Sequence, residues 1–311
     1  MKKHTILLTA MLALLFAIGC TSDSISELPT NPEKPTEPTN PEKPTEPTNP
    51  EKPTEPGKPT EPTNPGNPNG VNYKIPTDQV AYYKAIDFKK EGMALKKDLA
   101  TLIKVKKDIG YSANKNAIAI TDKAPDGKLY MIYGTKGTTS GTHTYTSSGG
   151  WNREHVFAQS QGTPPLGRSK GPGSDAHHLR PAIIKHNSDR GHLHFIEGSG
   201  ISRKLGEGWY PGDEWKGDVA RMMMYMYLVY DEQCDNTNIA ISKSIPSDAG
   251  MVELFLKWNA EDPVSDVEIQ RNKYHGDSTN KYAQGNRNPF IDNPHLATKI
   301  WGGPTATNLW K

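Results

Sequence analysis

Apolar positions recur at helical spacing over long stretches of the chain and form strand-length runs only briefly. Between Tyr82 and Lys107, Leu95, Leu99, Leu102, Ile103 and Val105 are spaced for one buried helical stripe. Lys128–Tyr133 reads KLYMIY, a strand introduced by the turn-forming pair Asp126-Gly127. Gly149-Gly150 then precedes Trp151–Phe157, a second short strand or extended segment. Asp175–Arg190, DAHHLRPAIIKHNSDR, has helical propensity interrupted near Pro181. Asp218–Asp231 predicts a helix carrying Met222, Met223, Met224 and Met226, side chains that suit core packing better than a cofactor box. Residues 250–258 and 262–274 read as further helices, with Pro263 at the start of the second. His295–Trp301 reads as a final short helix. The mixture predicts an α+β fold, mainly helical, with short strands in a single domain.

The first seventy residues do not fit a core. Ile6–Ile18 is almost wholly apolar after Lys2 and Lys3, yet too short for a membrane span of about 20 residues. It ends in Ala17-Ile18-Gly19-Cys20, which resembles the bacterial lipoprotein signal, with residues 1–19 removed and Cys20 acylated as a membrane anchor. The alternative is an ordinary secretory signal with an incidental cysteine. Three copies of TNPEKPTEP begin at Thr30, Thr39 and Thr48, and degenerate copies continue to about Gly70. Such proline density favours polyproline II, so forty residues would reach roughly 120 Å. Interspersed Glu and Lys favour a solvated stalk over a proline-rich ligand for a partner domain. The expected layout is therefore a signal at 1–19, a lipidated proline-rich linker at 20–70 and a globular domain at 71–311.

Charge and cysteine content narrow the field modestly. Residues 1–70 hold six lysines against nine carboxylates, so the net +2 of the whole chain leaves about +5 on the remainder. A mildly basic domain suits a polyanionic substrate. Cys234 is the only cysteine besides Cys20, so no disulfide is expected, and Cys234 reads as a structural thiol.

Candidate chemistry concentrates at Glu154-His155 and at Asn187. The carboxylate and the amide oxygen are hard ligands suited to Mg²⁺ or Ca²⁺. The unperturbed pKa of histidine lets His155 take a proton from water near neutral pH. In an extended segment, residues 154 and 155 point to opposite faces, so one can address a metal while the other addresses a water. Asn187 follows His155 by thirty-two residues, and a strand–loop–helix unit would bring its amide beside Glu154. One ion held there would stabilise a leaving oxygen without any protein nucleophile. The plainer readings are a surface pair at 154–155 and a helix end at Asn187-Ser188-Asp189. Arg221 reads as the partner of Asp218 or Asp231 on a helix face. Asn286, Arg287 and Asn288 either brace a loop beside the site, touching nucleic acid, or form a buried hydrogen-bond network.

Five segments occur in order: WNREHVFAQS, DAHHLRPAIIKHNSDR, KGDVARMMMYM, DPVSDVEIQRN and QGNRNPFID. Together they resemble the bacterial endonuclease I family of periplasmic endonucleases and extracellular ribonucleases, across about 150–301 and more weakly back to about 80. The resemblance implies a ββα-metal, or His-Me finger, active site. It implies His155 as general base, Glu154 and Asn187 as metal ligands, and an arginine on the scissile phosphate, for which Arg168 is the candidate. His177 is expected to orient a ligand or phosphate, and Arg287 to support the site. One divalent ion is implied, Mg²⁺ first, with Mn²⁺ or Ca²⁺ as alternatives. The implied protein is a monomeric, lipid-anchored endonuclease cutting DNA, RNA or both with little sequence preference and leaving 5′-phosphates. It would sit at the outer membrane or cell surface, facing the exterior or the periplasm. Two departures stand out. His178 replaces the asparagine common in relatives, which should alter the helix start, and no cysteine network matches theirs.

Two competing functions come from other features. His177, His178, His186, His192 and His194 are dense enough to suggest zinc and a hydrolase of peptides or other esters. No HExxH pattern or cysteine pair supports that reading. The other competitor is a non-catalytic surface protein that binds DNA, against which the complete Glu154, His155 and Asn187 set argues.

Overall fold

A helix buried around its whole circumference organises the fold. The computed structural model describes residues 73–135, 139–140 and 150–311; the signal, Cys20 and the proline repeats lie outside them. Thr77–Tyr83, Gly92–Ile103 and Gly110–Thr121 form α1, α2 and α3. Strands β1 (Leu129–Tyr130) and β2 (Thr139–Ser140) pair antiparallel, as do β3 (Trp151–His155) and β4 (Leu179–Ile183). Helix α4 (Ile184–Arg190) follows β4 directly. Strands β5 (His194–Phe195), β6 (Arg203–Leu205) and β7 (Gly208–Tyr210) form a mixed sheet in the order β5-β7-β6. The buried helix is α5 (Lys216–Tyr230), with Gly217 to Val229 shielded from solvent, and β8 (Ser244–Ile245) and β9 (Asp248–Val252) form a hairpin. Helices α6 (Glu253–Glu261), α7 (Asp266–Gly276), α8 (Pro289–Asp292) and α9 (His295–Trp301) complete the chain. An α-helix without a polar face belongs at the centre of a core. The methionines of α5 fill that core with Phe195, Phe255, Trp258 and Phe290, so the α+β reading holds.

Several boundaries differ from the pattern-based expectation for local reasons. The helix expected over Tyr82–Lys107 is divided into α1 and α2, and Gly92 turns the chain between them with a φ of +56°. Leu95, Leu99 and Ile103 are fully buried, but Val105 is 73% exposed because α2 stops at Ile103. Only Leu129–Tyr130 of KLYMIY is strand; Met131 to Gly134 closes a tight turn with Gly134 N donating to Met131 O at 3.0 Å. Asp175–Arg190 is not one helix: a turn through residues 176–178 leads into β4, with Pro181 opposite Arg153, and helix begins at Ile184. The 250–258 segment likewise starts as strand β9 before α6. Helix α7 begins after Ser265, not at Pro263, because Ser265 and Glu268 form a capping box. Helix α3 escaped notice because its buried face mixes Ala117 and Ile118 with Asn114 and Thr121.

The faces of β3 sort into two environments with the strand's period of two. Trp151 packs with Ile118, Leu129, Met131 and Leu179 in a small core beneath α3, and Arg153 and His155 follow on that side over Tyr111. Asn152 and Glu154 face the other way, toward Asn187 and Arg190 of α4. Elsewhere, Lys74 N donates to Trp310 O at 2.8 Å, and Tyr73 lies edge-on to the Trp310 ring.

A buried set of alternating charges ties the elements that support β4. Arg180 pairs with Asp122 at 2.7 Å and with Asp218 at 3.2 Å, Arg271 also pairs with Asp122, and Arg221 holds Glu268 at 2.6 Å. Arg221 thus takes Glu268 of α7 as its main partner and lies 3.8 Å from Asp218. Removing one member of such a set strands its partners in a low dielectric, at a cost of about 3–5 kcal/mol. Asp122→Ala should therefore lower unfolding free energy by about that amount in urea titration. A loss below about 1 kcal/mol, the value of an exposed pair, would contradict this account.

Candidate active site

The antiparallel pair β3–β4 sets Glu154 opposite Arg180 and His155 opposite Leu179, and α4 folds back from β4 across the strand pair. Glu154, His155, Arg168 and Asn187 all line one cavity of about 550 Å³, with Tyr111, Arg153, Gln159, Arg190 and His192 also on its wall. The sequence therefore placed four residues that the fold does bring together.

Each side chain is oriented by identifiable contacts. His155 Nε2 lies 2.9 Å from Gly173 O, which can only accept, so Nε2 carries the hydrogen and the neutral ring leaves Nδ1 as the lone pair. Its ring stacks on Tyr111 at 5.3 Å with an interplanar angle of 15°. Burial first, then His178, Arg168 and Arg153, lower its pKa to about 3 against the opposing Gly173 carbonyl. The ring is thus neutral but less basic than the sequence alone suggested. Glu154 is 2% exposed; its Oε1 accepts from Tyr133 Oη at 3.0 Å and lies 3.5 Å from Arg190 Nη1. Burial lifts its pKa to about 7, outweighing Arg190 and Tyr133. Asn187 Nδ2 donates to Asn152 Oδ1 at 2.7 Å and to Arg153 O at 3.3 Å, which uses both amide hydrogens and leaves Oδ1 as the atom able to accept. Arg168 is exposed at the rim, where its Nε donates to Gln159 Oε1 at 2.8 Å.

The short loop Gly171–Ser174 supplies the carbonyl that fixes His155. Asp108 holds it from the start of α3, accepting from Gly171 N at 2.7 Å and Ser174 Oγ at 3.1 Å. His178 donates from Nε2 to Pro172 O at 2.7 Å, and its Nδ1 accepts from Phe157 N at 3.4 Å. His178 therefore buttresses the loop at the entry to β4 and does not alter a helix start. Gly173 admits no side chain, because a Cβ there would lie 2.0 Å from Gly167 O.

Two supporting residues expected at the site lie elsewhere. His177 points away from the cavity and contacts Asn286 O at 3.1 Å and the Tyr225 ring at 4.4 Å. It belongs to a buried network around Asp175, which accepts from Tyr225 at 3.0 Å, Tyr230 at 2.8 Å and Gln284 at 3.1 Å. His177 and His178 diverge within the turn that precedes β4, and only His178 lies against His155, with ring centroids 5.6 Å apart. Arg287 is buried against Asp292 at 2.5 and 2.7 Å, so the QGNRNPF loop forms a hydrogen-bond network instead of touching the cavity. The dense histidines do not converge: among the described residues, no three His, Cys, Asp or Glu side chains are disposed to share a metal. Cys234 is a buried free thiol whose pKa is raised by burial.

Sequence reasoning missed Tyr111, Tyr133, Gly173 and Arg190. Arg190 closes the DAHHLRPAIIKHNSDR segment and Tyr133 closes KLYMIY, so both stood at visible boundaries. Tyr111 lies in the unpredicted α3, and nothing local marked it.

A neutral histidine, a buried carboxylate and an amide oxygen around one polar, arginine-flanked cavity are the equipment of a hydrolase for an anionic substrate. A sequence model of the endonuclease I family matches residues 91–295. The chain is 37% identical over 236 residues to an extracellular ribonuclease of Bacillus amyloliquefaciens, covering 72% of this chain and 79% of the relative. An extracellular ribonuclease of Bacillus subtilis (strain 168) shows the same identity and coverage. The chain belongs to the endonuclease I family of nucleases.

Two predictions follow from the geometry. Gly173→Ala must displace the loop that orients His155, and a shift of about 1 Å costs on the order of 10²-fold in rate. Phosphodiester cleavage should fall by about that factor with the circular dichroism spectrum retained; wild-type cleavage would refute the loop's role. Burial also lowers His177 and His178 to about 4, with Asp175 opposing and Arg271 assisting, while Arg190 further lowers His178. Their unfolded-state pKa of about 6.5 is higher, so the stability they contribute is complete above that pH and lost as pH falls toward 4. Urea midpoints should be flat above about pH 7 and decline below 6.5, less steeply in His178→Gln.

Proposed function

We propose that this protein is a divalent-metal-dependent endonuclease hydrolysing DNA, RNA or both with little sequence preference. The reading rests on one observation: the β3–β4–α4 unit turns Glu154, His155 and Asn187 onto a common cavity. This is the placement that a ββα-metal, or His-Me finger, site requires. The Bacillus relatives are extracellular ribonucleases, which supports RNA as one substrate and export from the cell.

The donor set fits a hard cation. Both contacts of Glu154 fall on Oε1, and the amide hydrogens of Asn187 are turned onto Asn152 and Arg153, so two oxygens address the cavity. Two oxygen ligands with room for water and phosphate suit Mg²⁺, or Mn²⁺ or Ca²⁺, better than Zn²⁺. When bound, the ion would neutralise phosphate charge and stabilise the departing 3′ oxygen. The rest is done by this chain. Arg168 reaches the phosphate from the rim, with Arg153 beside it. His155 Nδ1 accepts the proton of the attacking water while Gly173 O and Tyr111 hold the ring still. Bringing an anionic phosphate against His155 offsets the arginines that depress its basicity. Loss of the 3′ oxygen leaves 5′-phosphate ends. Contacts confined to phosphate read little sequence.

Cys20 and the proline repeats extend the proposal to the cell surface. A lipid on Cys20 would anchor the chain, residues 20–70 would space residues 71–311 from the membrane, and the enzyme would act there as a monomer. No helix among the described residues is long and apolar enough to cross a membrane, so attachment would fall to the lipid.

His155→Ala should lower plasmid and RNA cleavage by at least about 10²-fold, the contribution of a general base, while fold and nucleic-acid binding persist. EDTA should stop the wild-type enzyme and Mg²⁺ or Mn²⁺ should restore it. Wild-type rates in His155→Ala, or cleavage indifferent to EDTA, would reject the mechanism. Peptide or ester hydrolysis restored by Zn²⁺ would favour the zinc alternative.

A further inference from the structure

Tyr133 is held in a backbone conformation that a bulky residue rarely adopts. Its φ is +67°, in the left-handed region, where strain of about 1–3 kcal/mol persists only when surroundings enforce it. The enforcement is visible on both sides. Ser202 Oγ donates to Tyr133 O at 2.5 Å, and Trp215 Nε1 donates to Gly134 O at 2.6 Å. Ile132 N donates to Pro181 O at 2.9 Å, which fastens the turn to β4. The phenol is fully buried, edge-on to Trp209 at 5.5 Å.

The strain aims one atom. Tyr133 Oη donates to Glu154 Oε1 at 3.0 Å, from the side opposite the strand's Tyr111 face. Burial raises the phenol's pKa, so the group stays a donor. Arg190 Nη1 is 3.5 Å from the same oxygen and donates to Gly191 O at 3.1 Å, while Nη2 donates to Val156 O at 2.8 Å. Arg190 therefore offsets the charge of Glu154 without fixing the plane of its carboxylate.

We propose that Tyr133 is a positioning residue for the cation: its hydroxyl engages Oε1 of Glu154 and turns Oε2 toward the cavity beside Asn187 Oδ1. This rests on Glu154 and Asn187 being the cation's ligands. Tyr133 touches neither cation nor substrate and acts only through Glu154. Hydrogen-bond partners of metal ligands commonly set affinity by about 10–100-fold.

The test is direct titration of the purified protein with Mn²⁺, reading free Mn²⁺ by electron paramagnetic resonance, in wild type, Tyr133→Phe, Ser202→Ala and Glu154→Ala. Phenylalanine keeps the ring against Trp209 and deletes a single oxygen. Tyr133→Phe should weaken Mn²⁺ binding by about tenfold or more. The Mn²⁺ concentration for half-maximal plasmid cleavage should rise in parallel, with the rate at saturating Mn²⁺ close to wild type. Ser202→Ala, which loosens the turn from outside, should shift affinity the same way by less. A merely structural tyrosine would lower the urea midpoint and leave Mn²⁺ affinity unchanged, and that result overturns the proposal. If Glu154→Ala loses the ion while Tyr133→Phe binds like wild type, the positioning role alone fails. If wild type binds no Mn²⁺, or Glu154→Ala binds it equally well, the cation-ligand reading fails and takes this proposal with it.

Discussion

The register between β3 and β4 is the constraint on which the site depends. Because successive side chains alternate, Glu154 looks toward α4 while His155 looks toward α3, and the cavity spans both. A slip of one residue would exchange these faces, sending the carboxylate to Tyr111 and the imidazole to Asn187. The register is pinned at several points. Trp151 and Leu179 anchor the apolar side, and Arg180 is locked by Asp122 and Asp218 on the other. Chemistry at the strand end is thus guaranteed by packing and ion pairing along its length.

Burial serves the site in two opposite ways. It keeps His155 neutral, with its hydrogen committed to Gly173 O, and it makes the charge of Glu154 costly unless something compensates. Arg190 supplies part of that compensation from within the protein, and a bound cation would supply the remainder. On the proposed reading, a cation beside Glu154 would favour the charged carboxylate that burial otherwise disfavours.

Much of this was legible in the chain because the motifs are local. Glu154, His155, Asn187 and Arg168, each marked by a short local motif or its interval, line one cavity, and the methionine helix and the final helix fall where periodicity puts them. What failed was long-range or positional. His177 and His178 are adjacent and chemically identical, and only the folded turn that precedes β4 decides which one faces His155. Arg287 read as a contact for nucleic acid because its partner, Asp292, is brought to it by the short helix α8, which composition does not reveal. Tyr111 and Tyr133 work across 44 and 21 residues of sequence, respectively, and no short window carries that information. The early strands and helices were misjudged at their ends, where Gly92, Ser265 and the Gly134 turn overrule hydrophobic spacing.

The adjacency of Tyr73 and Trp310 has a topological corollary. Since the domain begins and finishes at one spot, a brief peptide bridge there could close the polypeptide into a ring without disturbing its interior. The same adjacency means that a polypeptide fused after Trp310 would emerge beside Tyr73.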